Sequence, residues 1–501
     1  KLAEAKKAEQ ARQSAELKKQ IEAEIQKGKA ALNSGDTKNA MTHFDKARSM
    51  LPEDDPLYSA QKTSEMGLAL YEASEREAID AASRGQLKNS ASDYANGAIA
   101  HDGTDSPSHY ILGMEALDKK DYATAESELK LAVSKNSTNA IYYYQLGRAQ
   151  AQQRKYQAAS SSFSTAAKLD PTFAAAQYNL GFVSERLGNT NQALAAYRKA
   201  YSIDSDYERA YIAAARILLR QGDNKGAISA FDQAIRINPS NSQTYQEQGS
   251  AYSALGDYKS AENCYRKAIV YMDPSHKDPA TYYNLSTVLY VQGKKDEALS
   301  YAKQAYDARS GVTGTLAVNI LYNYALLCDE SGDAERAISL YQEVLKADPS
   351  HIKAKTNLGV LCLENNQVDT AITYLQSAYN QDSQNFEVNN NLGNAFRTKE
   401  KYVEAVTYYQ NALRIKGKDN TVRLNLAKAY ASAGQYDNAR VAYEDVLKAD
   451  NSNWEACLEL AKVYMSMNDN ENAEKYLVYL QAKNPSYHKA EVEQLLQSVE
   501  P

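Results

Sequence analysis

An alanine recurs every 34 residues over most of this chain, and that period restricts the fold more than any other feature. From Ala91 the step lands on Ala125, Ala159, Ala193, Ala227 and Ala261; after small insertions the ladder continues through Ala298, Ala337, Ala371, Ala405, Ala439 and Ala473. With Ala40 near the start, thirteen repeats carry Ala in one slot. Prolines keep the same count, because Pro171 to Pro239 spans 68 residues and Pro349 to Pro485 spans 136. A unit this short cannot bury an apolar face alone, so it has to stack on copies of itself.

Numbering each repeat so that this Ala is position 20 sorts the other residues. Position 8 is small (Gly28, Gly113, Gly147, Gly181, Ala215, Gly359, Gly393), position 7 is usually Leu, and position 24 is a ring or Leu (Phe44, Phe163, Tyr197, Phe231, Tyr409). Small residues at 8 and 20 let two helices approach closely, and the residue at 24 fills the remaining volume. Position 15 is Gly188, Gly222, Gly256, Gly293, Gly332 or Gly434, with Asn366 and Asn468 as substitutes. These are the residue types that take the left-handed conformation closing a helix, so a turn falls there. The chain has only 22 Gly and 10 Pro in 501 residues, which excludes a turn-rich all-β architecture. Of its 47 aromatics 39 are Tyr, so the core is built from small residues and amphipathic rings.

Period, small residues, ring and Pro together resemble the tetratricopeptide repeat over about residues 21–485, and Tyr282–Tyr283–Asn284–Leu285 reads like the family consensus. The resemblance implies an all-α, right-handed superhelical solenoid of about thirteen helical hairpins with terminal capping helices. The expected organisation is a charged N-terminal helix at 1–20, two divergent repeats at 21–104, and repeats 3–8 at 105–309. Repeats 9–13 follow an inserted loop at 310–485, and 486–501 is a cap. A 51-residue first step predicts an extended helix from about Leu57 to Ala82, and insertions are expected at Met272–Pro279 and Ser310–Val318.

On the first helix of each repeat, positions 4, 7, 8 and 11 form one stripe and positions 2, 5, 6, 9, 12 and 13 the opposite one. In the family the second stripe lines a concave groove, which makes its residues the candidate binding site. Position 6 holds Asn284, Asn323, Asn357, Asn391 and Asn425 in five consecutive repeats, and Asn179 earlier. Asn is a mediocre mid-helix residue, about 0.5 kcal/mol worse than Ala, and its amide both donates and accepts. Such a ladder resembles the peptide-holding groove of the O-GlcNAc transferase repeats; the other reading is that the amides brace neighbouring helices. Position 5 adds Tyr283 and Tyr322, as well as Tyr110, Tyr144 and Tyr178. Arg216 and Arg220, with Arg186 and Arg209, make a locally basic middle section suited to an acidic peptide or to simple solvation. Lys353, Asn357 and Asn391 reproduce half of the clamp that chaperone-tail-binding members use, but Thr421 and Asn425 stand where its two basic residues belong.

The expected function is a non-enzymatic scaffold that binds a protein or extended peptide. The alternative is a structural protein that associates with copies of itself through its ends or its N-terminal helix. No HExxH, phosphate loop or nucleophile elbow occurs, so no catalytic residue, cofactor or metal is assigned. His101 to Ser106 is read as helix-capping sequence rather than a metal loop. A net charge of −6 argues against a nucleic-acid module with a dominant basic face, and no apolar run is long enough to span a membrane. Cys264, Cys328, Cys362 and Cys457 are read as reduced, with Cys328 and Cys362 as core residues. The chain starts at Lys1, and localisation is open between the cytoplasm and, with a signal removed, the periplasm or cell envelope.

Overall fold

The computed structural model describes residues 2–499, and all 27 regular elements among them are helices. The chain divides after Leu255 into two compact halves. Helices come in antiparallel pairs that follow the repeat register. In the first half, Ala140–Gln152 pairs with Tyr156–Leu169, Ala174–Arg186 with Thr190–Ile203, and Glu208–Arg220 with Asn224–Ile237. In the second, Pro279–Val291 pairs with Lys295–Asp307, Gly314–Glu330 with Ala334–Ala347, and Ile352–Glu364 with Val368–Gln381. Phe386–Thr398 with Tyr402–Ile415 and Asn420–Ser432 with Tyr436–Ala449 continue the series, and Lys489–Val499 closes it.

The hairpins are closed by the contact that the repeat pattern implies. All thirteen position-20 alanines have no exposed surface. A Cβ added to Gly147, Gly181 or Gly393 would lie 2.7, 2.7 or 2.5 Å from the ring of Phe163, Tyr197 or Tyr409, and one on Gly28 would lie 2.4 Å from Phe44. The position-24 ring therefore rests directly on the backbone of the facing helix. Phe44, Phe163, Tyr197, Phe231, Tyr341, Tyr409 and Tyr443 are buried to within 1%. Fully burying a side chain of this kind contributes about 1.5–3 kcal/mol.

Position 15 takes a positive φ in twelve of the thirteen repeats, which ends the first helix and redirects the chain. Seven of these residues are Gly, at φ between 73° and 84°. Lys120, Arg154 and Glu400 hold the same conformation at φ 61°, 60° and 59°, although their side chains disfavour it. The next residue, where it is Asp, caps the second helix: Asp36, Asp121, Asp223, Asp257, Asp333 and Asp469 each accept from the backbone N–H three residues on. Asp105 caps its helix through Ser108 N–H, and Asp102 accepts from both Thr104 N–H and its hydroxyl, so the His101–Ser106 segment is a capping turn.

The first two repeats depart from the expected layout, and the expected insertion at Ser310–Val318 is partly helical, since the helix Gly314–Glu330 begins inside it. The charged N-terminal stretch is continuous with the first helix of repeat 1, as one helix Leu2–Asn33, because no Gly or Pro falls at the expected junction near residue 20. In repeat 2 the stretch expected as one helix from Leu57 to Ala82 contains a turn: Pro56–Ser74 stops at Glu75, and Ala81–His101 begins behind Asp80, which accepts from Ala82 and Ser83 N–H. Arg76 holds that turn by donating to Leu32 O at 2.8 Å and Asn33 Oδ1 at 2.9 Å. The four cysteines are buried and free, and burial pushes the Cys457 thiol up to about 11.

Gly substitution at Lys120, Arg154 or Glu400 is expected to raise stability by about 0.5–1 kcal/mol each, since relief of left-handed strain exceeds the added chain entropy. Gly393→Ala is expected to lower it by about 1–3 kcal/mol through overpacking on Tyr409. Denaturant unfolding midpoints of the single variants check both directions.

Candidate functional site

The stripe formed by first-helix positions 5, 6 and 9 is not uniform. Tyr283, Asn284 and Thr287 in repeat 8, Asn357 and Val360 in repeat 10, Asn390, Asn391 and Asn394 in repeat 11, and Leu424, Asn425 and Lys428 in repeat 12 are all half-buried. Lys353, at position 2, is exposed.

The five asparagines divide into two groups. Asn323 is 9% exposed and donates at 2.8 Å to Ser286 Oγ, the small residue at position 8 of the preceding repeat. Ser286 passes the bond on to Ala298 O at 2.8 Å. Asn357 donates to two hydroxyls of the preceding repeat, that of Tyr341 at 2.9 Å and that of Tyr322 at 3.5 Å. These amides brace helices. Asn179 does the same in the first half, donating to Tyr144 Oη at 3.0 Å. Asn284, Asn391 and Asn425 make no side-chain hydrogen bond among the described residues. Neighbouring Asn394 accepts from Tyr409 Oη at 2.7 Å.

The position-5 tyrosines also connect repeats. Tyr322 lies 4.8 Å, centroid to centroid, from the ring of His351, which opens the next repeat. Tyr144 lies 4.7 Å from Phe173 and Tyr178 lies 5.3 Å from Tyr207, in the equivalent place. Phe173 and Tyr207 stand at helix N-termini that have no side-chain cap, so a ring contact replaces the cap bond. Sequence reasoning did not find these partners, although the constant offset of 29 residues from Tyr to ring was there to be seen. Tyr283 has no such ring contact among the described residues.

The arginines divide in the same way. Arg216 forms a bidentate pair with Glu247 one repeat on, at 2.7 and 2.6 Å, and Arg220 bonds Glu185 one repeat back at 2.5 Å. Arg216 and Arg220 are thus engaged within the protein, so the basic middle section keeps less free charge than its sequence suggests. Arg148 and Arg186 are exposed without an ion pair; Arg148 donates to neutral Gln145 at 2.8 Å and Arg186 lies 5.2 Å over the ring of Phe182.

Acidic groups gather at one point of the second half. Burial pushes the Asp329 carboxyl above the usual range, and Glu364 and Glu330 add repulsion. A raised folded-state value means that the native protein takes up a proton before the unfolded chain does. The charge therefore costs stability at neutral pH, and the cost disappears as the pH falls to the ordinary Asp range near ~4. Asp329→Asn is expected to melt higher than the parent at pH 7, with the gap closing by about pH 3. Thermal scans across that range measure it.

Sequence models described as tetratricopeptide repeat match residues 144–208, 184–248, 242–275, 277–350, 330–394, 384–452 and 430–498. No curated protein matches the chain. Among solved structures, a MamA protein is 24% identical with a TM-score of 0.32, over 32% of this chain and 89% of that one. A tetratricopeptide repeat protein from Parabacteroides merdae ATCC 43184 is 20% identical with a TM-score of 0.37, over 52% and 98%. The Cut9–Hcn1 hetero-tetramer of APC/C matches at 17% and 0.39, over 89% and 98%. With these models spanning nearly every residue from 144 to 498, and with paired helices that turn where the repeat requires, the chain belongs to the tetratricopeptide repeat family.

Proposed function

We propose that this chain is a protein-binding scaffold whose second half holds an extended peptide segment along the first-helix stripe of repeats 8 to 12. Tetratricopeptide repeats generally serve as protein–protein interaction scaffolds and are typically non-catalytic. The observation that carries the finer reading is the set Asn284, Asn391 and Asn425. These amides are half-buried on one stripe, helix propensity does not favour them, and no side-chain hydrogen bond uses them among the described residues. An extended backbone offers alternating donors and acceptors, which an amide can meet regardless of the peptide's sequence. Tyr283 supplies a half-buried ring beside Asn284, and Lys353 an exposed cation with no ion pair among the described residues. Asn323, Asn357 and Tyr322 enter this reading as supports that fix neighbouring repeats rather than as ligand contacts.

A second reading rests on the N-terminal helix. Residues Leu2–Glu16 are all exposed, roughly 20 Å of helix at 1.5 Å per residue. Self-association through it would make the chain an assembly component. Removing residues 1–16 and measuring mass in solution tests that reading separately.

The peptide reading has its own test. Peptides selected on the full chain from a random display library are titrated against two variants. Asn284→Ala/Asn391→Ala/Asn425→Ala is expected to weaken binding by about 2–4 kcal/mol in sum and to leave the melting temperature unchanged or higher. Asn323→Ala/Asn357→Ala is expected to lower the melting temperature, because it strips partners from buried hydroxyls. If the triple variant loses stability and keeps its peptide, the stripe is a brace throughout.

A further inference from the structure

We propose that the first-helix face of repeats 4 to 6 is a second binding site, built for an acidic segment that carries apolar side chains. It stands on different residues from the Asn stripe and does not need that reading.

The argument begins with residue type. The chain has 38 Lys and 19 Arg, yet the three helices Ala140–Gln152, Ala174–Arg186 and Glu208–Arg220 carry five Arg and no Lys. A face that only needs solvation would draw on Lys as the rest of the chain does. Arg is distinguished by a planar fork that meets carboxylates in pairs and stacks on rings.

The second step subtracts what the protein uses itself. Arg216 and Arg220 are taken up by Glu247 and Glu185. Glu208, the remaining carboxylate of these helices, accepts from Asn238 and Asn241, the latter at 2.6 Å. Arg148, Arg186 and Arg209 are left, one on each helix, all exposed and none in an ion pair among the described residues. The helices are adjacent, since Asn179 bonds Tyr144 from the second to the first and Arg220 bonds Glu185 from the third to the second. Three free guanidinium groups in an acidic chain are thus spread across one face.

The third step is the surface between them. Tyr144, Tyr178, Phe182, Ile212 and Leu219 are half-buried, and Arg186 already lies over Phe182. An anionic segment with apolar or aromatic side chains would meet guanidinium forks at its carboxylates and rings between them. A basic or neutral polar segment would leave three cations unmatched.

Fluorescence anisotropy on the full chain tests this with three labelled probes. One is a capped twelve-residue peptide alternating Asp or Glu with Phe, the second its Asn/Gln isostere, and the third a thymidine dodecamer. The acidic peptide is expected to bind at least about tenfold more tightly than the isostere, with a preference that shrinks from 50 to 300 mM salt. Arg148→Gln/Arg186→Gln/Arg209→Gln is expected to abolish that preference with a nearly unchanged melting temperature, since all three are exposed, and the contacts of Arg148 with Gln145 and of Arg186 with Phe182 lie within their own helices. The triple Asn→Ala variant of the second half is expected to leave it intact. Equal binding of the two peptides, a preference that survives the triple Gln substitution, or tighter binding of the oligonucleotide would each overturn the proposal.

Discussion

One contact sets the geometry of every regular hairpin: the position-24 side chain lying on position 8 of the facing helix. Tyr409 over Gly393 and Phe163 over Gly147 leave no room for a methyl group, so these helices are held as close as a ring's thickness allows. Repeats 6 and 12 place Ala215 with Phe231 and Ala427 with Tyr443, so the same pair of slots takes one extra carbon there. Repeat 8 reverses the sizes, with Ser286 and Ala302 both buried to within 1%. That Ser makes the slot polar, and Asn323 of the next repeat reaches into it. A change in the hairpin contact thus creates a bond between repeats.

Everything on the opposite stripe of the first helix follows from that contact. Because the hairpin is closed by positions 8, 20 and 24, positions 5, 6 and 9 are free to meet the neighbouring repeat or a ligand. Tyr144 and Tyr178 pack against Phe173 and Tyr207 yet stay half-buried, and Asn179 bonds Tyr144. Each such bond makes adjacent repeats hold one another, which is where a stacked repeat protein gains most of its stability. Binding capacity is what remains after these bonds are made.

The hairpin was readable in the sequence because its determinants are local and repeat at a fixed period. Ala at 20, Gly or Ala at 8, a ring at 24 and Gly at 15 each demand a particular size or φ, and each recurs. Lys120, Arg154 and Glu400 hid the turn in three repeats, since the surrounding helices impose the left-handed conformation on residues that do not choose it. The turn at 75–80 was hidden for a related reason: its stop is made by Arg76 reaching the C-terminus of the helix Leu2–Asn33, a tertiary bond with no local signature. The stripe was legible as a stripe but not in its parts. Nothing in the residue names separates Asn357, which bonds Tyr341, from Asn391, whose side chain makes no hydrogen bond among the described residues, because the difference lies in the neighbours' side chains.

The same limit applies to charge, and it bears on how repeat proteins of this kind should be read. Arg216 and Arg148 both occupy position 9 of a first helix. Arg216 has Glu247 one repeat on, at half-buried side chains and with two bonds, so its charge is cancelled where a ligand would meet it. Arg148 reaches only a neutral amide and keeps its charge. A count of basic residues along the stripe assigns both the same role. The useful quantity is the count after intramolecular pairs are removed, because a paired guanidinium must lose its carboxylate before it can bind another, whereas an unpaired one gives up only water. In a stack of near-identical hairpins, the specificity of a face is therefore decided by which of its polar groups the next repeat leaves unanswered.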